Sequence, residues 1–204
     1  MAFDWLRPAP ALPAQSRDGL TLRSAAMSEM EAVYLMGKDA WGEGCSEADY
    51  LRLCRDSRKY QRGRWHVLAD AGGGLLCSAI AYQLPRLAGR VTLGLGSVAT
   101  GPEWRGQGCA SLALNGLLAG YRRHCRVEVF LLFADIEWRF YQRLGFMPLP
   151  QSLQAHGKAV GMARCAPELW EDVLLALAER PLGYFKRHRR GHEWGHYPIR
   201  FWPR

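Results

Sequence analysis

The order of apolar segments predicts an α+β fold, in which a central sheet carries helices on both faces. Two strand-like segments flank the glycine-rich turn 70–74, as in a β-hairpin. The segment 127–133 is almost entirely apolar, which is typical of a strand buried on both sides. Between them, residues 106–124 place apolar side chains at helical spacing. Strands and helices therefore alternate along the chain.

Each predicted element depends on a periodicity or on a capping signal. Period-two alternation and apolar runs predict strands at 19–24, 64–70, 75–84, 90–100, 127–133 and 158–165. Apolar spacing predicts helices at 28–38, 46–57, 106–124, 135–143 and 166–178. Ser28 and Ser46 are the expected N-caps of the first two helices, because an acidic residue follows each of them three positions later. Asp135 is the expected cap of the fourth helix.

The composition suits one domain with an appendage: of 204 residues, 49% are hydrophobic and 23% are charged. No apolar run approaches the roughly 20 residues that a membrane span needs, and the N-terminus lacks the pattern of a signal peptide. The six scattered cysteines are expected to be reduced. We therefore expect a soluble, cytoplasmic protein, in which residues 1–18 form an irregular N-terminal arm.

The net charge of +8 is concentrated at the C-terminus. From residue 180 onward one glutamate accompanies six aromatic and seven basic residues, the basic ones being Arg180, Lys186, Arg187, Arg189, Arg190, Arg200 and Arg204. This tail either packs through its aromatic side chains or binds an acidic partner or nucleic acid. It also contains His-Glu-x-x-His at 192–196, but glycines and a proline there disfavour the helix that this zinc motif requires. No metal is expected.

The most informative stretch is 97–111, where a strand ends, a turn follows and a helix begins among small residues. Gly106 and Gly108 let backbone N–H groups approach one another without hindrance from a Cβ. These donors lie at the positive end of a helix dipole, which favours a bound phosphate. The dinucleotide pattern G-x-G-x-x-G fits poorly, because five residues separate Gly106 from the strand, and no P-loop motif is present. A tight turn without a ligand is the alternative.

Two motifs resemble those of one family. Residues 105–110, Arg-Gly-Gln-Gly-Cys-Ala, look like motif A of the GNAT acyl-CoA N-acyltransferases, R/Q-x-x-G-x-G/A. Residues 140–146, Phe-Tyr-Gln-Arg-Leu-Gly-Phe, resemble the F-Y-x-x-L-G-F segment of the same family. The resemblance covers residues 19–165 and implies a mixed, mostly antiparallel sheet. Residues 166–204 would then be a C-terminal helix and a basic, aromatic tail outside the family domain.

The resemblance also implies how coenzyme A would bind. The strand before motif A separates from its neighbour in such proteins and exposes backbone groups to the pantetheine arm, which here would be those of Val98 and Thr100. The pyrophosphate would be held by the backbone of residues 105–110, namely Arg105, Gly106, Gln107, Gly108, Cys109 and Ala110. Side-chain contacts from Arg105 and Gln107 would be secondary. The Cys109 thiol is expected to pack in the interior rather than react.

Tyr141 matches the tyrosine that enzymes of this family use as general acid. Phenols have an ordinary pKa near 10, so this side chain would be protonated when a thiolate of pKa about 8.5 departs. The strand 90–97 contains no acidic residue, although many relatives have a general base there. A water chain or an acid from the region between the first two helices would take that role, with Glu43, Glu47 and Asp49 as candidates. Trp41 would shape an acceptor pocket or pack in the core.

The resemblance therefore implies an N-acetyltransferase that moves an acetyl group from acetyl-CoA, its co-substrate, to a primary amine by direct attack in a ternary complex. The alternative is a non-catalytic GNAT-like module that binds an acidic or nucleic-acid partner through the basic tail. No membrane partner is expected, and a homodimer is left open. The sequence does not identify the acceptor, the acyl-chain length or the general base.

Overall fold

The computed structural model describes residues 6–135, 137–154 and 159–179. Within this part of the chain there are nine strands and seven α-helices. The chain divides into two compact units, each assembled from separate stretches. The first unit consists of Leu6–Gln83 and Leu95–Arg126, and the second contains Leu84–Gly94 and the chain from Val127 onward. The predicted arm and tail boundaries at 18 and 165 stay predictions.

From the second onward, the strands of the first unit pair in chain order. They are β1 Arg7–Pro8, β2 Gln15–Arg17, β3 Leu20–Ser24, β4 Arg64–Ala69, most of β5 Leu75–Leu87 and the C-terminal half of β6 Arg90–Thr100. β2 pairs with β3, β3 with β4 and β4 with β5, all antiparallel, and β1 pairs with β5. Residues 65–69 of β4 and 76–82 of β5 are buried without interruption. Because successive side chains point to opposite faces, both faces of these strands are covered.

The helices of the first unit differ in part from expectation. They are α1 Met30–Leu35, α2 Lys38–Trp41, α3 Glu47–Asp56, α4 Arg58–Gln61 and α5 Cys109–Cys125. Ser46 caps α3 as predicted, since its hydroxyl accepts a hydrogen bond from the Asp49 amide at 3.1 Å. The predicted cap at Ser28 is wrong. The chain enters a 3₁₀ turn at Met27–Glu29, where the Glu29 carboxylate accepts from the Ala26 amide at 2.7 Å.

The core of the first unit lies under α5, whose apolar side packs against β3 and β4. Leu114, Leu117, Leu118 and Tyr121 are each at most 2% exposed, as the helical spacing predicts. Within the described part of the predicted irregular arm, residues 7–8 and 15–17 are strands, namely β1 and β2. Tyr121 holds the chain between β1 and β2 in place, since its hydroxyl donates to the Pro10 carbonyl at 3.2 Å.

The second unit begins inside β5 and contains the first half of β6. The two strands are joined by Ala88 and Gly89, both at positive φ (47° and 72°), the combination that a type I′ hairpin turn requires. The remaining strands are β7 Val129–Ala134, β8 Met147–Pro148 and β9 Val160–Arg164. β6 pairs with β7 in parallel through Thr92–Gly94, whereas β9 is antiparallel to both β7 and β8. The sheet is therefore mixed, with mostly antiparallel pairs.

Two helices complete the described part of the second unit: α6 Trp138–Gln142 and α7 Trp170–Glu179. The predicted cap of α6 at Asp135 is wrong by two residues, because the Glu137 carboxylate accepts from the Arg139 amide at 2.9 Å. A 3₁₀ turn at Pro167–Leu169 precedes α7, as proline at a first helical position favours. The basic tail and its His-Glu-x-x-His sequence lie outside the described residues. None of the described helices has the length and apolar character of a membrane span.

Candidate functional site

The predicted phosphate turn is anchored at its start by a backbone hydrogen bond. β6 ends at Thr100, and the Gly101 amide donates to the Leu76 carbonyl at 2.9 Å. A single 3₁₀ turn, Pro102–Trp104, follows with proline at its first position. The chain then passes through 105–108 and enters α5 at Cys109. The predicted order of strand, turn and helix is therefore present, with the helix starting three residues later than predicted.

Both glycines of the turn have left-handed backbone conformations, with φ of +75° at Gly106 and +80° at Gly108. Side chains of L-residues rarely adopt this conformation, so glycine is required for the path of the backbone. A Cβ added at either position would meet no heavy atom within 4 Å. The side of the turn toward which these Cβ atoms would point is therefore open, as a backbone that receives a ligand requires.

The N-terminal end of α5 has backbone N–H groups that are suited to binding an anion. Gly108 is the N-cap and has no side chain to accept a hydrogen bond, and the first turn of the helix contains no acidic residue. The amides of Cys109, Ala110 and Ser111 precede the first helical bond, which runs from the Leu112 amide to the Gly108 carbonyl at 3.0 Å. With the positive end of the helix dipole behind them, these amides fit a diphosphate.

The side chains of Arg105 and Gln107 are directed back toward the turn itself. Arg105 Nε donates to the Thr100 carbonyl at 3.1 Å, and Gln107 Nε2 donates to the Glu103 carbonyl at 2.8 Å. Arg105 Nη1 also lies 2.6 Å from Asp39 Oδ2 of α2. The hydrogen bond from Arg105 lowers the pKa of the Asp39 carboxyl below its ordinary value. Asp39 is not marked by any sequence motif, because 66 positions separate it from its partner.

The strand before the turn has an irregularity at Ser97, a non-glycine residue at φ +44°. Its hydroxyl donates to the Tyr60 hydroxyl at 3.3 Å. Beyond this point Val98 and Thr100 are partly exposed, whereas Ala99 between them is buried. The proposed contact of Val98 and Thr100 with a pantetheine arm stays a prediction. Cys109 is 7% exposed, in keeping with a packing role for its thiol.

Tyr141 belongs to the second unit and lies in α6. Its ring contacts Phe140 and Phe146 edge to face, with centroid distances of 5.0 and 6.3 Å. The Phe146 amide donates to the Tyr141 carbonyl at 3.1 Å, after a turn in which Gly145 adopts φ +82°. Phe146 is fully buried and Tyr141 is partly exposed. The F-Y-x-x-L-G-F segment is therefore a compact helix-turn in which Phe146 is the anchor.

The predicted acceptor residues lie around the end of α2 and the start of α3. Trp41 ends α2 and is partly exposed, while Glu43, at φ +38°, and Glu47 are exposed. Asp49 accepts from Ser46 Oγ at 2.8 Å and pairs with Arg52 at 3.0 Å. These contacts lower the pKa of the Asp49 carboxyl, so it is a weaker base than a free aspartate. The acceptor assignments stay predictions.

His66 is a buried histidine with a structural role. It is 1% exposed on β4, and its Nε2 lies 2.7 Å from the Tyr121 hydroxyl. Burial lowers its pKa to about 4, which keeps the imidazole neutral. Across the described ranges no three His, Cys, Asp or Glu side chains are grouped as metal ligands.

The structure thus combines an α+β sheet with a strand-to-helix turn that contains two left-handed glycines. Comparison with known proteins identifies the family. Residues 30–146 match the model of the acetyltransferase (GNAT) family, more than half of the chain. The chain belongs to this family, and acetyl transfer is accordingly its class of chemistry. GNAT proteins use acetyl-CoA as co-substrate. No curated protein matches the chain.

Solved structures support the fold. A GCN5-related N-acetyltransferase from Kribbella flavida matches with a TM-score of 0.55 and 19% identity, over 74% of this chain and 99% of that one. A spermidine N-acetyltransferase from Vibrio cholerae matches with a TM-score of 0.53 and 16% identity, over 73% and 95%. N-acetylglutamate synthase from Neisseria gonorrhoeae, complexed with coenzyme A, matches with a TM-score of 0.55 and 13% identity, over 74% and 36%. The predicted mixed fold is confirmed.

Proposed function

We propose that the protein is an N-acetyltransferase that transfers the acetyl group of acetyl-CoA directly to a primary amine within a ternary complex. The observation that carries this proposal is the turn 105–108. Its two left-handed glycines have open surroundings and directly precede the uncapped amides of α5, in a chain that belongs to the GNAT family. An acidic first turn or a side-chain cap would have disfavoured a diphosphate there.

The turn and the first amides of α5 would hold the diphosphate of the co-substrate. The donors are the backbone N–H groups from Gly106 to Ala110, and the partly exposed residues Val98 and Thr100 would contact the pantetheine arm. Charge-assisted hydrogen bonds of this kind are stronger than neutral ones. The co-substrate supplies an acetyl thioester, which is activated enough to need no covalent enzyme intermediate.

The reaction balances with one acid and one base. The neutral amine forms a C–N bond to the acetyl carbon, the C–S bond breaks, and the thiolate accepts the proton of the Tyr141 hydroxyl. The proton lost by the amine nitrogen goes to water, and solvent returns a proton to the tyrosine. A backbone N–H near Val98 or Thr100 would stabilise the negative charge on the acetyl oxygen.

The residues around the end of α2 and the start of α3 would supply the base. Glu43 and Glu47 are exposed and lie in the segment that would border the acceptor. Asp49 is already engaged by Ser46 and Arg52. A water chain, or an acid among Glu43, Glu47 and Asp49, would take the proton of the amine. Trp41 would supply an apolar wall for the acceptor.

Calorimetry with acetyl-CoA tests the binding half of the proposal. We expect saturable binding to the wild-type chain and none to Gly108→Trp, whose side chain would enter the open side of the turn. Gly73→Trp in the 70–74 hairpin is the matched control, because this glycine has φ +86° and equally open surroundings. No binding to the wild type at millimolar ligand, or equal binding to both variants, would contradict the proposal.

Release of free thiol from acetyl-CoA tests the chemical half, with a panel of amines that includes spermidine, diamines, arylalkylamines, amino acids and peptide N-termini. Turnover with at least one primary amine, and none with the matching tertiary amine, is expected. Binding of acetyl-CoA without turnover of any acceptor would favour the non-catalytic alternative.

A further inference from the structure

The Arg105 side chain has a partner far from its own motif in the sequence, namely Asp39. Its guanidinium joins the end of β6, through the Thr100 carbonyl, to α2, through Asp39. Both charged side chains are about half exposed, at 47% and 53%. The carboxylate 2.6 Å away offsets the positive charge that would otherwise attract a diphosphate. In this arrangement Arg105 fixes the turn and is not aimed at a ligand.

The other polar side chain of the turn behaves in the same way. Gln107 Nε2 is directed to the Glu103 carbonyl, and the Gly101 amide is fixed by Leu76. Hydrogen bonds therefore brace the turn at 100, 101 and 103, while the surroundings of Gly106 and Gly108 stay open. A loop that is already ordered loses less conformational entropy when a ligand binds.

The segment that carries Asp39 is itself held in place. The Trp41 amide donates to the Gly37 carbonyl at 2.9 Å, and a Cβ at Gly37 would collide with the Trp41 ring. The aromatic ring therefore packs directly on the backbone that begins α2. Asp39 is thus presented to Arg105 from a constrained helix, which lets a single ion pair transmit that constraint to the turn.

We propose that Asp39 is a positioning residue for the coenzyme A turn: it holds the Arg105 guanidinium on the Thr100 carbonyl, so that Arg105 braces the turn and makes no contact with the diphosphate. This inference rests on the proposed function, since it concerns the same turn. It gives Asp39 a role in holding the turn in shape. It also makes Arg105 a residue that braces the turn and does not bind the diphosphate.

The direction in which Asp39→Asn changes the affinity for coenzyme A distinguishes the two possible roles of Arg105. If Arg105 bound the diphosphate, Asp39→Asn would release its guanidinium and remove a nearby negative charge, so coenzyme A would bind more tightly. If Arg105 is a brace, Asp39→Asn loosens the turn and coenzyme A binds less tightly, by about two- to five-fold for a half-exposed pair. Electrostatics alone therefore predicts the opposite of the proposal.

A second substitution keeps the charge and removes the geometry. Arg105→Lys retains a cation but cannot contact Thr100 and Asp39 with a rigid planar group. A brace predicts that Arg105→Lys weakens binding as much as Arg105→Ala, whereas a charge contact predicts affinity near that of the wild type. Glu31→Gln is the matched control, since it removes the similarly exposed pair of Glu31 with Arg55 on α1 and α3.

The experiment is calorimetry with coenzyme A on these folded variants at one salt concentration, with thermal melts as the check of folding. Weaker binding by Asp39→Asn and Arg105→Lys, with Glu31→Gln unchanged, supports the proposal. Unchanged or tighter binding by Asp39→Asn, wild-type affinity of Arg105→Lys, or an equal loss in Glu31→Gln overturns it. If Asp39→Asn does not fold, the comparison of Arg105→Lys with Arg105→Ala decides. A wild type that binds no coenzyme A removes the proposed function itself.

Discussion

Replacement of Gly108 by alanine separates backbone strain from ligand binding. Gly108 is the N-cap of α5 at φ +80°, and a Cβ there would meet no atom within 4 Å. The folded apo protein therefore loses only the cost of a left-handed alanine, about 1–2 kcal/mol. The lower entropy of the unfolded chain offsets about 0.4–1 kcal/mol of this. We expect a net loss of about 1 kcal/mol in the free energy of unfolding.

The effect on coenzyme A should be larger, because the added methyl group would enter the open side of the turn, where we propose that the diphosphate binds. Loss of one hydrogen bond to a charged phosphate, worth about 1.5–3 kcal/mol, corresponds to a Kd raised about 10- to 100-fold. Denaturant unfolding of the apo protein measures the first quantity, and calorimetry with coenzyme A measures the second.

Gly73→Ala is the control for strain, since Gly73 has φ +86° and equally open surroundings in the 70–74 hairpin. It should lose the same stability as Gly108→Ala and keep wild-type affinity for coenzyme A. Equal affinity in the two variants would refute the reasoning that the open side of the turn receives the diphosphate.

Three further predictions concern other parts of the chain. Tyr141→Phe should retain its packing on Phe146 and its affinity for acetyl-CoA but lower kcat about 100-fold or more; unchanged turnover in the thiol-release assay would remove the role as acid. The pKa of His66, lowered by burial from 6.5 to about 4, means that stability is present in full above pH 6.5 and falls as the pH drops toward 4. Between pH 7.5 and pH 5 this amounts to about 2 kcal/mol in denaturant unfolding, which His66→Gln should abolish and the exposed His124→Gln should not. Glu137→Ala removes the N-cap of α6 and should lower the free energy of unfolding by about 1 kcal/mol, whereas a loss within error would show that the cap bond contributes nothing.

The sequence was sufficient where periodicity and turn chemistry act locally. β6 has the predicted bounds, Arg90–Thr100, and α3 starts after the predicted cap, Ser46. The left-handed conformations of Gly106 and Gly108 follow from the need for glycine in a tight strand-to-helix turn. The position of the turn was therefore predictable from residues 97–111 alone, although its ligand came from the family resemblance.

Elements that form through pairing with distant strands could not be predicted from the sequence. β1 and β8 have two residues each, too few for a period, and they form because a partner strand is already in place. The separate helix α4 was missed because Ser57 ends α3 and also caps the next helix. In each case the local sequence does not determine the conformation, and the neighbouring structure decides it.

In the candidate site, too, local motifs are visible in the sequence, whereas contacts between distant positions are not. The assignment of Tyr141 stays a prediction, which rests on a motif of seven consecutive residues. Asp39 was not found, because its contact with Arg105 joins positions 66 apart and neither residue has an unusual neighbourhood in the sequence. The side chains of Arg105 and Gln107 are directed back onto the turn by contacts that the spacing of residues does not indicate. Sequence reasoning thus locates the turn but does not reveal what holds its shape.

A crystal structure of the complex with coenzyme A would show where the diphosphate binds. We expect its oxygens within hydrogen-bond distance of the backbone nitrogens between Gly106 and Ala110, with Arg105 still in contact with Thr100 and Asp39. A diphosphate bound elsewhere on the chain, or a turn filled by the side chain of Arg105 or Gln107 in the presence of the ligand, would contradict this expectation.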